Sequence, residues 1–460
     1  MQIASAPTLE RLHESLCFVR AYPDDAAVQD AAERALREFP VRVRRLAPPA
    51  RARLHDSGIA DTDLDYPFGL PMARWLATRF PGDVKIAWRT FDGGERLEEA
   101  LSLLVTPTEA EAFTEGGLGW RRWLRLASGG RTSDLEVLLR LFRTAPISEE
   151  AREWLFETLE LPIVWRLRGA APSRTLLRLP GAPVFYQREG LRRSGVDFAH
   201  EITRPLPTLR QADRAVADAV MEAARAAMAT RARELHAFAR PNAGDILVAD
   251  PGRGLRIALV GLRPDDRLPL DAYYAYLAFK NGVPVSYGAG WGCFGTLEFA
   301  LNIFESFRQG ESALLISQIL RVYYRVFRMR TVVVDHSQID DSNLEGLRTG
   351  AFYFYAKLGF RPTDPEVSRL ADAVTRVARA LGATGWRRVS PPERRAFERL
   401  AIVMGLIPDL ARWPARERER LRRVMRAKGG VSEARYLALL DDHRRLRRSL
   451  DVLVRGAPVP

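Results

Sequence analysis

Cysteine and long apolar runs are scarce in this chain, and each scarcity excludes a class of protein. Only two cysteines, Cys17 and Cys293, occur in 460 residues, and neither has a partner at metal or redox-motif spacing, which excludes a disulfide or structural-zinc framework. No apolar run approaches the roughly 18 residues of a membrane span, and the first residues lack the pattern of a signal peptide. These absences predict a cytoplasmic protein with no membrane partner.

Histidine is also rare, and the common catalytic signatures are missing. The six histidines occur singly, and there is no P-loop lysine pattern, no His-Glu-x-x-His and no Gly-x-Ser-x-Gly. The sequence therefore predicts no resident metal. With 47% hydrophobic and 28% charged residues, the chain is expected to be globular and to hold two or three domains.

Positive charge is abundant but unevenly distributed. The formal charge is +13, and only four of the cations are lysines, Lys85, Lys280, Lys357 and Lys428. Residues 366–460 hold 22 Arg and Lys against 11 Asp and Glu, a net charge of +11. A solvated helical surface is the favoured interpretation, and electrostatic contact with nucleic acid is the alternative.

Hydrophobic periodicity divides the chain into three regions. We expect an α-rich N-terminal region over 1–190, a mixed α/β domain over 191–365 and a basic helical region over 366–460. Helices are expected over 8–20, 26–39, 133–142 and 148–159, one long helix or a bent pair of helices over 205–239, and short strands within 175–187. Further strands are expected over 245–249, 255–262, 272–279 and 283–289. The dipeptide Asn281-Gly282 favours a two-residue hairpin turn.

The most informative stretch runs from Phe299 to Pro362. An apolar strand to Phe304 leads through a turn into a helix that ends near Phe327, and a second strand follows over 331–334. Because the N-terminus of a helix has unpaired N–H groups and partial positive charge, this order predicts a phosphate site. His336 directly follows the second strand, where ligands of α/β proteins tend to bind, so it is a candidate base or substrate contact.

The ending Tyr355-Ala-Lys-Leu-Gly-Phe360, taken with the hairpin and the turn before it, resembles the GNAT superfamily of N-acetyltransferases over roughly residues 255–362. The resemblance implies a mixed, largely antiparallel sheet flanked by helices. It also implies acetyl-CoA or another acyl-CoA as co-substrate, and a small-molecule or peptide amine as acceptor. A non-catalytic GNAT-like protein that binds a ligand or partner is the alternative.

The resemblance assigns the cofactor contacts residue by residue. Arg308 takes the first place of the family's pyrophosphate turn and Ala313 the last, which puts Glu311 where the family has glycine. A carboxylate there repels a pyrophosphate unless it points away. Moving the alignment by one residue puts Gly310 in the glycine place and Ser312 in the last place. Phe307 then stands in the first place, where the family has Arg or Gln. The implied contacts are Ile303, Phe304, Arg308, Gln309, Gly310, Glu311, Ser312 and Ala313.

Acyl transfer to an amine also needs a base and an acid. The resemblance implies Tyr355 as the acid, with a buried structural aromatic as the alternative. It implies a Glu on the strand before the turn as the base, which is Glu298, or less favourably Glu305. On a strand, Glu298 shares a face with Thr296 and Ala300, where it is either a base or an ordinary solvent-facing carboxylate.

Overall fold

The computed structural model describes residues 5–181, 184–268, 270–335, 338, 351–362, 365 and 369. His336 lies outside the described residues, as does the basic region 366–460 apart from Arg369. Among the residues described, no helix is long and apolar enough to cross a bilayer.

The first part of the chain is rich in helices, as predicted. Its helices are α1 Ala6–Ala21, α2 Ala26–Arg37, α3 Phe39–Arg44, α4 Pro48–Ala52, α5 Leu70–Arg79, α6 Gly94–Leu104, α7 Pro107–Thr114, α8 Trp120–Ser128, α9 Asp134–Thr144 and α10 Glu149–Thr158. Its strands β1 Asp63–Tyr66, β2 Val84–Ile86 and β3 Ile163–Arg166 form a small antiparallel sheet with β3 in the middle. Apolar residues between 64 and 167 bury one another around this sheet and form a core of their own.

Several of these helices begin at polar side chains that satisfy free backbone amides. The Asp25 side chain accepts from Val28 N at the start of α2. Ser133 and Glu136 form a reciprocal capping box at the start of α9, and Ser148 caps α10. Each such cap contributes about 1 kcal/mol and determines where the helix begins.

The second part of the chain is built on a seven-stranded sheet. Its strands are β4 Leu209–Gln211, β5 Pro241–Gly252, β6 Leu255–Leu262, β7 Ala272–Lys280, β8 Val283–Cys293, β9 Thr296–Ile303 and β10 Thr331–Val333. The spatial order is β10-β9-β8-β7-β6-β5-β4, and every neighbouring pair is antiparallel except β9 and β10. The predicted mixed, largely antiparallel sheet is therefore confirmed.

Helices flank this sheet. They are α11 Phe198–Thr203, α12 Arg214–Ala229, α13 His236–Ala239, α14 Ser312–Phe327 and α15 Ala351–Lys357. Of the two alternatives over 205–239, one long helix is wrong, because β4 precedes α12 and Leu209–Gln211 pairs with β5. The alternative of a pair of helices is confirmed from Arg214 onward, where α12 is followed by α13. The described residues of 175–187, which are all but 182 and 183, form no strand, although Leu177 and Leu179 are buried in the sheet's core.

The hairpin turn of β7 and β8 is the one that the sequence predicted. Asn281 and Gly282 both have positive φ, 51° and 78°, the conformation of a type I′ turn that suits the twist of antiparallel strands. The Asn281 amide nitrogen also donates to the backbone carbonyl oxygens of Ala21 and Phe185. The turn thereby ties the end of α1 to the sheet, and α1 shares the sheet's core.

Glycines on β8 let α14 and β9 approach closely. A Cβ on Gly288 would lie 2.0 Å from the Ala300 carbonyl oxygen, and one on Gly290 would lie 2.7 Å from a ring carbon of Tyr323. Both distances are below van der Waals contact, so side chains are excluded at these two positions. A Cβ on Gly292, by contrast, meets nothing closer than 3.6 Å.

We expect Gly288→Ala to destabilise the protein by roughly 1–3 kcal/mol, because the new methyl group overpacks a close backbone contact. Gly292→Ala is the matched control on the same strand, and we expect it to change the free energy of unfolding by less than about 0.5 kcal/mol. Urea denaturation measures both. Equal destabilisation by the two variants would contradict this description of the glycines.

Candidate functional site

The sheet opens between β9 and β10. These strands pair in parallel only from Thr296 to Glu298 on β9 and from Thr331 to Val333 on β10. Beyond Glu298, β9 continues to pair with β8 on its other edge as far as Ile303. Among the described residues, no strand pairs with this edge of β9 beyond Glu298, and we call it the released edge; its backbone donors and acceptors are left to be satisfied by other groups.

A side-chain amide occupies this released edge. Gln338 Nε2 donates to the Phe299 carbonyl oxygen at 2.8 Å, and Gln338 Oε1 accepts from Leu301 N at 3.2 Å. One primary amide therefore makes the two hydrogen bonds that a peptide group of a neighbouring strand would make. The released edge can accordingly pair with an extended, amide-bearing group.

Tyr355 lies beside the same amide. This residue of α15 is 4% exposed, and its hydroxyl donates to Gln338 Oε1 at 3.2 Å. Burial raises the pKa of Tyr355, so the hydroxyl stays protonated at neutral pH and can donate a hydrogen bond or a proton. The structure thus brings one predicted catalytic residue to the opening of the sheet.

Glu298 stands where the two strands separate. It is half-buried and paired in register with Trp291 on β8 and with Val333 on β10, while Leu297 and Phe299 on either side of it are buried. Alternation along the strand puts its side chain on the face opposite to those two, as the sequence predicted.

The predicted phosphate turn forms a short 3₁₀ turn over Glu305–Phe307, a bend and then the first turn of α14. Gly310 N donates back to the Phe307 carbonyl oxygen at 2.9 Å. Four of the predicted contacts retain solvent exposure, and four are buried. The exposed or half-exposed ones are Arg308, Gln309, Ser312 and Ala313, and the buried ones are Ile303, Phe304, Gly310 and Glu311.

The Glu311 carboxylate is buried against cations. It is 3% exposed, and its Oε1 lies 2.8 Å from Arg253 Nη2 and 3.1 Å from the backbone N of Arg192. Its Oε2 lies 3.5 Å from Lys280 Nζ. Burial by itself raises the pKa of this carboxyl, but the Arg192 amide, Lys280 and Arg253 outweigh it, and the pKa lies below its ordinary value.

Lys280, at the end of β7, is the partner with the least access to water. It is fully buried, donates to the Arg253 carbonyl oxygen at 2.7 Å, and lies about 5 Å from the ring centres of Tyr22 and Phe185. Burial lowers the pKa of Lys280 to about 8, against the opposing effect of Glu311. The ammonium is thus held by one carboxylate, one carbonyl and two aromatic faces.

Tyr22 covers the inner side of the turn. A Cβ on Gly310 would lie 2.9 Å from the Tyr22 hydroxyl oxygen, so only glycine fits beneath this ring. Burial and the nearby Glu311 carboxylate raise the pKa of Tyr22. Sequence reasoning missed Tyr22, Arg253 and Lys280 as partners of the turn, because no local pattern connects residues so far apart in the chain.

A stack of arginines and aromatics lies at the end of β9. The Arg231 guanidinium is 3.6 Å from the ring centre of Phe304, and Phe304 stacks on Tyr287 with ring centres 5.3 Å apart. Arg233 Nη1 donates to the Tyr287 hydroxyl at 2.8 Å. These contacts fix the position of Phe304 directly before the turn, and nothing in the sequence signalled them.

Glu234 is a second carboxylate in an unusual environment. Its Oε1 accepts from Gly69 N at 2.8 Å, and a Cβ on Gly69 would lie 3.1 Å from Glu234 Oε2 and 3.2 Å from Glu157 Oε1. Burial, followed by repulsion from Glu157 and Glu153, raises the pKa of Glu234 to about 7. The carboxyl is therefore half-protonated near neutral pH.

Breaking the Glu311 ion pairs is expected to be costly. Glu311→Gln leaves Lys280 charged and buried without its carboxylate, and we expect a loss of about 3–5 kcal/mol in the free energy of unfolding. Adding Lys280→Met removes the unpaired charge. The double variant should therefore lose less free energy of unfolding than the two single variants lose in sum. A double-mutant cycle by urea denaturation measures this coupling, and additive losses would contradict it.

Glu234 makes stability depend on pH. Its folded pKa of about 7 lies above the ordinary value of 4.5, so the folded state binds more protons between these values and loses stability as pH rises through them. We expect Glu234→Gln, which keeps an acceptor for Gly69 N, to be more stable than the parent at pH 8 by on the order of 1–3 kcal/mol. The difference should vanish near pH 4.5. Melting curves from pH 4.5 to 8 measure it, and a constant difference would contradict the assignment.

Among the described residues, no group of three or more His, Cys, Asp or Glu side chains is placed to hold a metal ion. Comparisons with protein-family models, with curated proteins and with solved structures found no match. What the chain does must therefore be inferred from its own residues.

Proposed function

We propose that this protein is an acyl-CoA-dependent N-acyltransferase of the GNAT type, which transfers an acyl group directly from the thioester to an amine. The observation that carries the proposal is the opening between β9 and β10, where the Gln338 amide pairs with Phe299 O and Leu301 N. The pantetheine arm of coenzyme A is an extended chain with two amide groups. It has the chemistry to replace the Gln338 amide on the released edge of β9.

The turn before α14 supports binding of the pyrophosphate. The N-terminus of α14 begins at Ser312, and a helix of 16 residues directs partial positive charge and free amides at this end. Arg308, Gln309, Ser312 and Ala313 are the predicted contacts that retain exposure here. The pyrophosphate would lie on this outer side of the turn.

A glutamate in the glycine place of the turn was expected to repel a pyrophosphate, and the buried position of Glu311 removes this objection. Its carboxylate is bound to Arg253 and Lys280, so the three side chains together carry a charge of +1 when all are ionised. Glu311 and Lys280 are buried while Arg253 is partly exposed, and the net field of the group at the turn is attractive to an anion. Glutamate in the family's glycine place is thus compatible with a phosphate ligand.

The chemistry needs a proton donor and a proton acceptor. The amine nitrogen attacks the thioester carbonyl carbon, the C–S bond breaks, and the amine gives up a proton. Tyr355 is the proposed donor to the leaving sulfur, since its buried hydroxyl is protonated and lies at the opening. Glu298, at the point of strand separation, is the proposed acceptor of the amine proton. The role of His336 as a base or substrate contact stays a prediction, as does a cytoplasmic location.

One observation favours the alternative, a non-catalytic protein that binds a ligand or partner through the same fold. The Tyr355 hydroxyl is bonded to Gln338, and the inner side of the turn is covered by Tyr22. An enzyme with this structure must move Gln338 aside to admit its co-substrate, whereas a non-catalytic protein need not. Binding of nucleic acid by residues 366–460 also stays a prediction.

Thermal unfolding with acetyl-CoA and with longer acyl-CoA thioesters tests the proposal. We expect millimolar acyl-CoA to raise the melting temperature by several degrees, because a ligand at about 100 times its dissociation constant adds about 2.7 kcal/mol. Ser312→Asp should abolish this shift by placing a negative charge at the phosphate position. It should not unfold the protein, since aspartate is favourable in the first turn of a helix.

Ser312→Ala is the matched control and should retain the shift. Gln338→Ala should lower the melting temperature of the free protein and enlarge the shift, because the ligand no longer competes with the amide. Release of free thiol in the presence of an amine panel separates the two functions, and Tyr355→Phe should lose this release while keeping the shift. No stabilisation by any acyl-CoA would overturn the acyltransferase proposal.

A further inference from the structure

A cluster of ionisable side chains lies on the buried face of α1, away from the opening of the sheet. His13 and Cys17 are four residues apart on this helix and share a face. His13 is 0% and Cys17 is 3% exposed, and the Cys17 sulfur lies 3.8 Å from both ring nitrogens of His13. A thiol and an imidazole in contact and shielded from water are the first two members of an activated nucleophile.

The imidazole is held in place by two further groups. His13 Nε2 lies 3.0 Å from the Thr175 hydroxyl, and His13 Nδ1 lies 3.5 Å from Glu14 Oε1. Glu14 in turn is bonded by Arg174 and by the Ser306 hydroxyl. The order thiol, imidazole, carboxylate is the arrangement in which a base is oriented by a third residue.

The cluster is also rich in positive charge. Arg20, 2% exposed, donates to the carbonyl oxygens of Thr175 and Leu177, and Arg174 and Arg231 approach from outside α1. The Nε atoms of Arg20 and Arg174 are buried, and within the described part of the chain they have no hydrogen-bond partner. Unpartnered buried donors such as these point to a missing acceptor.

The same charges favour the ionised thiol. Burial raises the pKa of Cys17, but His13 and then Arg20 lower it by more in total, so the pKa lies below its ordinary value. Burial lowers the pKa of His13, while Cys17 and Glu14 raise it to a value above the ordinary one. Both shifts stabilise a thiolate beside an imidazolium.

A small cavity adjoins the sulfur. Its volume is about 10 Å³, which is space for one water-sized molecule. Its lining consists of Cys17, Arg174, Leu177, Arg231, Val283, Pro284, Ser306 and Phe307. Hydrogen peroxide is larger than water by one oxygen atom, so its entry requires a small displacement of the lining side chains, whereas thiol reagents that carry aromatic rings require a far larger one.

We propose that Cys17 is an oxidation site that reacts with hydrogen peroxide and that His13 assists the reaction. The Cys17 sulfur attacks one peroxide oxygen, the S–O bond forms and the O–O bond breaks. The departing hydroxide takes the proton of the His13 imidazolium and leaves as water. Cysteine is oxidised by two electrons to the sulfenic acid and peroxide is reduced, so atoms and charge balance.

Cys293 is an internal control. It is more exposed than Cys17, but burial and the nearby Asp271 raise the pKa of its thiol. Each sulfur also contacts a backbone carbonyl oxygen, that of Leu270 at 3.8 Å for Cys293 and that of Arg174 at 3.7 Å for Cys17, so this contact does not distinguish them. Exposure alone therefore predicts that Cys293 reacts first, whereas the His13 cluster predicts that Cys17 does.

The experiment uses the full-length reduced protein and a pulse of hydrogen peroxide that catalase stops. The protein is then unfolded in the presence of dimedone, and the labelled peptides are quantified by mass spectrometry. We expect sulfenic acid on Cys17 at least tenfold faster than on Cys293 at pH 7, with the Cys17 rate persisting down to pH 6. Slower reaction at Cys17 than at Cys293 in the native protein would overturn the proposal.

Two further measurements separate activation from simple access. His13→Gln should slow oxidation of Cys17 at least tenfold while Cys293 reacts at its original rate. The native parent protein should resist the bulky reagent 5,5′-dithiobis(2-nitrobenzoate) at Cys17 while peroxide still oxidises it. Rapid reaction with the bulky reagent would mean that local opening, rather than the small cavity, admits oxidants, and this would also overturn the proposal.

Discussion

The buried ion pair between Glu311 and Lys280 connects parts of the chain that are distant in sequence. Glu311 precedes α14, Lys280 ends β7, and Arg253 comes from the turn between β5 and β6. A buried carboxylate is tolerated only when its charge and its lone pairs are matched. Because Gln187 and Arg192 supply further hydrogen bonds from a segment outside the sheet, the sheet, α14 and that segment must assemble together.

This ion pair also determines which side of the turn is free. Tyr22 and Phe185 pack around the Lys280 ammonium, so the inner side of the turn is closed by the end of α1 and the chain near residue 185. The outer side keeps the first residues of α14 exposed. The opening of the sheet lies next to it, since β9 leads directly into this turn. Phosphate and amide recognition would thus occupy adjoining surfaces.

The local features of the fold could be predicted from the sequence. The Asn281-Gly282 turn and α14 follow from residues that are neighbours in the chain, and the structure contains both. The strands expected within 175–187 were wrong, because Leu177 and Leu179 are buried by packing on the sheet's core without pairing along a strand. Apolar character there reflects burial and carries no information about strand pairing.

The site could be predicted only in part. The turn and Tyr355 were identified from local patterns, but the pairing of Glu311 with Lys280 joins residues 31 positions apart, and that of Gln338 with β9 depends on where β10 ends. The proximity of His13 and Cys17 could be predicted from the sequence, because a spacing of four residues on a helix puts both side chains on one face. The contacts of His13 with Thr175 and of Cys17 with Arg174 join residues more distant in sequence and require the folded chain.

Amide hydrogen exchange with and without coenzyme A tests the proposed site most directly. Bound coenzyme A should slow exchange in two places, at Phe299–Ile303 on β9 and in the first turn of α14, because the ligand would bond both backbones. The small sheet of β1, β2 and β3 should exchange at an unchanged rate. Unchanged exchange at β9 and α14 with saturating coenzyme A would contradict the proposal that this opening is an acyl-CoA site.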